Sequence, residues 1–228
     1  MIIFETKSFI IIQLLENISY LSSLVPIFVF FFLFKKLKKE KQIWVILLYL
    51  LFSFISDSLI LYEITPASTL AIRLQISIFS YIEYVLFSVY LALSINNQLV
   101  KSLIYVLIGL FTLFCGFYIY YNFYKGDFYS TIATIEAIVL IVLSIVGLYD
   151  LIKQPDLFFI YSSSQFWIIV AFLFFLAGTF FLTIILENLS KVEANKYWSI
   201  NLIFNTLKNM LFAIAFFIHK KKFLIHSG

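Results

Sequence analysis

Long apolar runs separated by short polar punctuation make up most of the chain. Such runs fall within residues 9–34, 43–62, 70–95, 102–122, 130–152, 165–186 and 198–218, and each is close to the ~20 residues an α-helix needs to cross hydrocarbon. The pattern predicts an all-α fold: a polytopic membrane bundle of seven helices, formed as one domain over 1–228. Pro26 lies inside the first run. It has no N–H to donate and its ring crowds the carbonyl four residues earlier, so a bend is expected there. The longest connections, 153–164 and 187–197, have no room for a soluble domain. Recognition must therefore use the bundle or its rims.

Composition supports this reading. Of the 228 residues, 63% are hydrophobic and 12% charged, about half the roughly 25% charged of a soluble domain. Such a chain cannot cover a water-facing surface, so membrane lipids, not nucleic acid, are its expected surroundings. The 29 Phe and 15 Tyr supply rigid apolar bulk, with hydroxyls for the interfaces or the interior.

Basic residues orient the bundle. With the N-terminus outside and the C-terminus cytoplasmic, Lys35, Lys36, Lys38, Lys39, Lys41, Lys101, Lys153, Lys220, Lys221 and Lys222 lie inside. Only Lys7, Arg73, Lys125, Lys191 and Lys196 then lie at the outer side. The positive-inside bias favours this arrangement and an odd number of spans. The expected location is a bacterial cytoplasmic (inner) membrane. Residues 1–7 lack the basic start and short apolar core of a removable signal, so the first span is expected to be retained.

The informative residues are those out of place in hydrocarbon. Glu83 falls near the middle of the third segment and Lys208 near the middle of the seventh. Intramembrane charges are costly and mark an interior face, a partner or a ligand. Two readings stand: a buried ion pair or shared hydrogen-bonded network, or a ligand contact. Asn201, Asn205 and Asn209 recur at four-residue spacing beside Lys208, forming a polar stripe that serves either helix contacts or ligand binding. Glu16, Asp57 and Glu136 lie toward the outer side of their segments, and Arg73 and Gln75 begin the third. Facing inward, they would line a vestibule ending at Glu83 and Lys208. Tyr81, Tyr84, Tyr90 and Trp198 offer aromatic walls for it or simple packing, and Gly178, Thr179 and Thr183 permit close helix approach. At the cytoplasmic face, Asp150, Lys153 and Asp156 offer a solvated rim or a docking point for a soluble partner.

Some chemistry is excluded. Cys115 has no second cysteine to pair with and is expected to pack as a small hydrophobe. His219 and His226 both lie in the tail, which leaves no histidine metal centre or Ser/His/Asp arrangement inside the bundle. No HExxH or paired-aspartate signature appears, so neither an enzyme nor a cofactor is expected.

Internal similarity points to a parallel 3+1+3 arrangement. Residues 78–90 read IFSYIEYVLFSVY and residues 203–215 read IFNTLKNMLFAIA; the second and sixth segments open on Trp44-Val-Ile-Leu-Leu-Tyr and Trp167-Ile-Ile-Val-Ala-Phe; the first and fifth each carry an outer glutamate, Glu16 and Glu136. In such repeats equivalent helices keep one orientation.

Two resemblances follow from these stretches. FWIIVAFLFFLAGTFFLTIILENL and YWSINLIFNTLKNMLFAIAFF resemble parts of bacterial seven-helix membrane proteins that accompany or feed sensor kinases, which implies a signalling role. A lysine in the seventh helix and a carboxylate in the third resemble the layout of rhodopsins, where such a lysine carries retinal and the carboxylate is its counter-ion. Lys208 and Glu83 would be the matching positions. The sixth segment lacks the Trp and Pro arrangement of retinal pockets. The leading expectation is a receptor-like protein binding a small external or membrane-dissolved ligand, with Glu83, Lys208, Asn205, Asn209, Asn201, Tyr84, Glu136 and Asp57 as candidate contacts, and coupling to a separate cytoplasmic partner. The alternatives are a small-solute or proton-coupled transporter using Glu83 and Lys208, a subunit of a membrane complex, and a retinal-binding protein.

Overall fold

Each of the seven apolar segments is helical in the computed structural model, and among the described residues there is no strand. The described backbone comprises residues 2–61, 69–123, 128–153, 159–186 and 191–225, with side chains described at 12–59, 70–123, 130–153, 159–182, 185 and 197–218. Lys7, Lys125, Asp156, Thr183, Lys191, Lys196, His219, the cluster Lys220 to Lys222 and His226 fall outside the described side chains.

The first span is built from α1 (Ile2–Ser22) and α2 (Leu24–Phe32); a single turn, α3 (Phe34–Leu37), leads into α4 (Lys41–Leu61). Then come α5 (Thr69–Ser94), α6 (Gln98–Asn122), α7 (Phe128–Ile152), α8 (Ser164–Leu186) and α9 (Lys191–Ile225). Seven of the resulting spans are long and apolar enough to cross a membrane, and the chain is an integral membrane protein. α9 extends well past the predicted 198–218 because its polar ends contain no Gly or Pro to stop a helix.

Pro26 has the predicted consequence, displaced by three residues. The helix breaks at Ser23, where the proline has withdrawn a backbone donor from the carbonyl of Ser22. Ser22 Oγ and Ser23 Oγ turn back onto the carbonyls of Ser19 and Tyr20 at 2.6 and 2.7 Å, satisfying backbone groups that lipid cannot. At the start of α6, Asn97 caps the helix: its side-chain oxygen accepts from the N–H of Leu99 at 2.9 Å.

The spans close into a ring. α9 packs on α1 and α2 at one side and on α8 at the other; α8 packs on α7, α7 on α5, α5 on α4, and α4 returns to α2. α6 stands outside the ring, mainly against α5, and turns Leu103, Leu110, Leu113 and Phe117 outward. Contacts fix the directions. Gln42 Nε2 donates to the Leu93 carbonyl and Tyr49 meets Glu83, so α4 and α5 are antiparallel. The Asn96 N–H donates to Asp150 at the C-terminal ends of α5 and α7, so those two are parallel. One face of the ring therefore gathers Lys35, Lys36, Lys38, Lys39, Lys41, Lys101 and Lys153. At this face Gln165 Nε2 donates to Gln42 Oε1 at 3.2 Å, joining the first turns of α8 and α4. Trp44 and Trp167 each donate their indole N–H to the carbonyl six residues back, Lys38 and Tyr161.

Aromatic rings fill the interior. Phe172 of α8 lies 3.7 Å from Phe87 of α5, 5.1 Å from Tyr49 and 5.2 Å from Phe212 of α9, centroid to centroid. Gly178 permits a close approach between α8 and α9. A Cβ at that position would come within 2.4 Å of the Phe204 ring, because α8 lets α9 lean directly on its backbone. Gly178→Ala is accordingly expected to destabilise the bundle by about 1–3 kcal/mol, read as a lowered unfolding temperature in lipid nanodiscs. Pairing it with Phe204→Leu should recover most of the loss; if it does not, the crowding lies elsewhere.

Candidate functional site

Depth alone places Glu83 and Lys208 near mid-membrane; the ring brings them onto one hydrogen-bonded line. Lys208 of α9 is 1% exposed, Tyr49 of α4 1% and Glu83 of α5 4%. Lys208 Nζ donates to Tyr49 Oη, and Tyr49 Oη donates to Glu83 Oε1 at 2.7 Å. The lysine and the carboxylate are thus joined through a tyrosine hydroxyl. Tyr49 was not foreseen as a site residue, being one of 15 tyrosines inside an apolar run. Lys208 Nζ also sits 3.7 Å from the centroid of Phe175 on α8, a cation–π contact in a water-poor setting.

The carboxylates outnumber the cation. Glu83, Asp57 and Glu136 are all within electrostatic reach of Lys208, whereas Lys208 is the one buried lysine or arginine among the described residues. Asp57, half-buried, lies farther toward the C-terminal end of α4. Glu136 of α7 is buried, with Ser80 beside its carboxyl group. The register agrees: a Cβ at Gly147 would touch Leu91 at 3.0 Å, and stepping back along the parallel pair sets Ser80 opposite Glu136. Glu136 Oε1 has no hydrogen-bond partner.

The asparagine stripe divides from the lysine it accompanies in sequence. Asn205 Nδ2 donates to Ser19 Oγ at 2.9 Å and Asn209 Nδ2 to Ser22 Oγ at 2.8 Å, so both hold α9 to α1. Asn201, half-buried one turn earlier, is outside these bonds. Intramembrane hydrogen bonds of this kind contribute about 0.6 kcal/mol on average and up to about 1.7. Asn209→Ala, which leaves buried Ser22 with only its own helix, is expected near the upper end of that range, measured by denaturation in bicelles, and Asn205→Ala near the middle. Equal and negligible effects would show that the α1–α9 contact rests on packing alone.

Tyr84 adjoins Glu83 in sequence but faces α6, its ring 4.1 Å from Phe111. Tyr81 Oη likewise bonds Thr112 Oγ1 at 3.2 Å, and Tyr90 packs on Phe87. Gln75 Nε2 donates to the Ser56 carbonyl at 3.0 Å, tying α5 to α4 near Asp57. Trp198 stays exposed and Glu16 half-buried. Cys115 is buried and free, as its apolar surroundings indicate.

The site thus consists of a Lys–Tyr–Glu bridge across three helices, with two further carboxyl groups nearby and aromatic rings beneath. It can accept a hydrogen-bond donor or positive charge at the carboxylates, and it can open by exchanging one bridge bond for another. No protein-family model, curated protein or solved structure matches the chain.

Proposed function

We propose that this protein is a receptor-like or sensory membrane component that binds a small external or membrane-dissolved ligand at the polar centre and transmits a rearrangement to a separate cytoplasmic partner. The observation that carries this reading is the bridge from Lys208 through Tyr49 to Glu83. It ties α9, α4 and α5 at mid-depth with two hydrogen bonds, so a ligand that replaces either bond acts on three helices at once. Such coupling needs only a ligand with different affinity for the bridged and opened bundles. In this proposal the lysine-rich face is cytoplasmic and the N-terminus external, in a bacterial inner membrane.

The finer architectural reading is the parallel 3+1+3 repeat. Gln42 and Gln165 are 123 residues apart and bonded to each other. Trp44 and Trp167, at the same separation, make equivalent indole bonds, and Tyr49 and Phe172, again 123 apart, meet at the centre with tilted rings. These pairings support a repeat in which α4 corresponds to α8 and Glu83 to Lys208.

The test is native mass spectrometry of the protein extracted from its own membrane, wild type against Glu83→Gln. A bound small molecule lost in the variant supports the receptor. A stoichiometric protein partner with no small molecule replaces it with a complex subunit. The excess of carboxylates over cations favours a second reading, a proton-coupled transporter; uptake into proteoliposomes that Glu83→Gln abolishes would put it first. Visible absorption lost in Lys208→Met would instead indicate retinal.

A further inference from the structure

We infer that Glu136 anchors a binding site for a small organic cation, an ammonium-bearing molecule, between α5 and α7 beside the Lys208–Tyr49–Glu83 bridge. This deepens the receptor reading and rests on it, since it names the chemistry of the ligand.

Glu136 is 2% exposed and its Oε1 has no donor. A buried carboxylate is normally matched by a cation or by several N–H or O–H groups. The buried lysine is engaged elsewhere, donating to Tyr49 and lying over Phe175. The strongest electrostatic neighbour of Glu136 is another acid, Glu83. What Oε1 lacks is a donor, and Lys208, though within electrostatic reach, gives its hydrogen to Tyr49. An anionic ligand would meet no donor here, whereas an ammonium group brings both a hydrogen and the positive charge that lets a buried carboxyl group ionise.

The surroundings suit an ammonium group. Ser80 stands beside the carboxyl group and can accept a second N–H. One turn on, Tyr84 lies within electrostatic reach of Glu136, and aromatic rings attract alkylammonium ions. Oε1 is sealed from solvent, so a ligand reaches it only when α5 and α7 part locally. Binding is thereby linked to movement of α5, the helix that carries Glu83. A positive charge arriving at Glu136 also competes with Lys208 for Glu83, which supplies a route from occupancy to the bridge.

The experiment is thermal unfolding of the full chain in lipid nanodiscs, titrated with n-butylammonium chloride, n-butanol or sodium chloride at fixed ionic strength. Butylammonium is expected to raise the unfolding temperature progressively, and butanol and sodium chloride are not. The shift should vanish in Glu136→Gln. Glu136→Asp retains the charge but withdraws it by one methylene, and should bind about tenfold more weakly, which covers the case in which the glutamine variant fails to fold. An equal shift with butanol, or a shift that survives in Glu136→Gln, overturns the site. The receptor reading is judged separately by the fluorescence of Trp44 and Trp167 in the same titration, with Trp198→Phe removing the third emitter. Butylammonium binding that leaves their emission unchanged keeps the site and overturns the receptor; emission that follows the binding curve supports both.

Discussion

Replacing Lys208 by methionine is expected to be the most damaging single change in the bundle, costing about 3–5 kcal/mol, the range found when one partner of a buried charge pair is removed. Methionine is nearly as long as lysine and still packs on Phe175, so the loss isolates the charge and its hydrogen bond. Tyr49 Oη would lose its donor. Glu83, Asp57 and Glu136 would lose the cation within reach of all three. Against a total stability of roughly 5–15 kcal/mol, that is enough to leave much of the protein unfolded on extraction. Glu83→Gln placed in the same chain removes one of the stranded carboxylates and should restore more than half of the loss. The coupling is measured by a double-mutant cycle on unfolding temperature or denaturant midpoint in nanodiscs. If the two changes simply add, within about 0.5 kcal/mol, the bridge is not an energetic unit and the receptor argument built on it falls.

The rescue matters because the sequence presents Glu83 and Lys208 as two isolated charges at similar depth. Depth is legible from position within an apolar run, and all seven runs are helices. The break near Pro26 follows from the chemistry of proline, although it falls at Ser23, next to the Ser22 carbonyl from which Pro26 withholds a donor. What a single sequence does not carry is the azimuth of each helix in the ring. Glu83 and Tyr84 are neighbours in the chain but 100° apart around α5, and they meet α4 and α6 respectively. Asn205, Asn209 and Lys208 read as one stripe, yet the asparagines find Ser19 and Ser22 while the lysine reaches Tyr49. The partners are serines and a tyrosine drawn from abundant types, with nothing in their local pattern to single them out.

Glu136→Met is expected to move stability the other way, raising it by about 1–3 kcal/mol. The estimate is the cost of leaving a buried polar atom without a partner, which the substitution removes. Methionine is unbranched and adapts to the space between α5 and α7, so little overpacking offsets the gain. It also relieves Glu83 of a neighbouring acid, leaving Glu83 and Asp57 within reach of Lys208. Glu136→Gln should gain less, because its amide remains a buried polar group with both a donor and an acceptor to satisfy. Unfolding temperatures of the two variants in nanodiscs decide the matter. A Glu136→Met protein less stable than wild type would mean that the carboxyl group already has a partner and contributes to the fold. A more stable one would show that the wild-type chain carries a destabilising acid in its interior. Strain of that kind persists where function requires it, so the same variant, more stable and unresponsive to ligand, would separate what Glu136 costs the fold from what it gives the site.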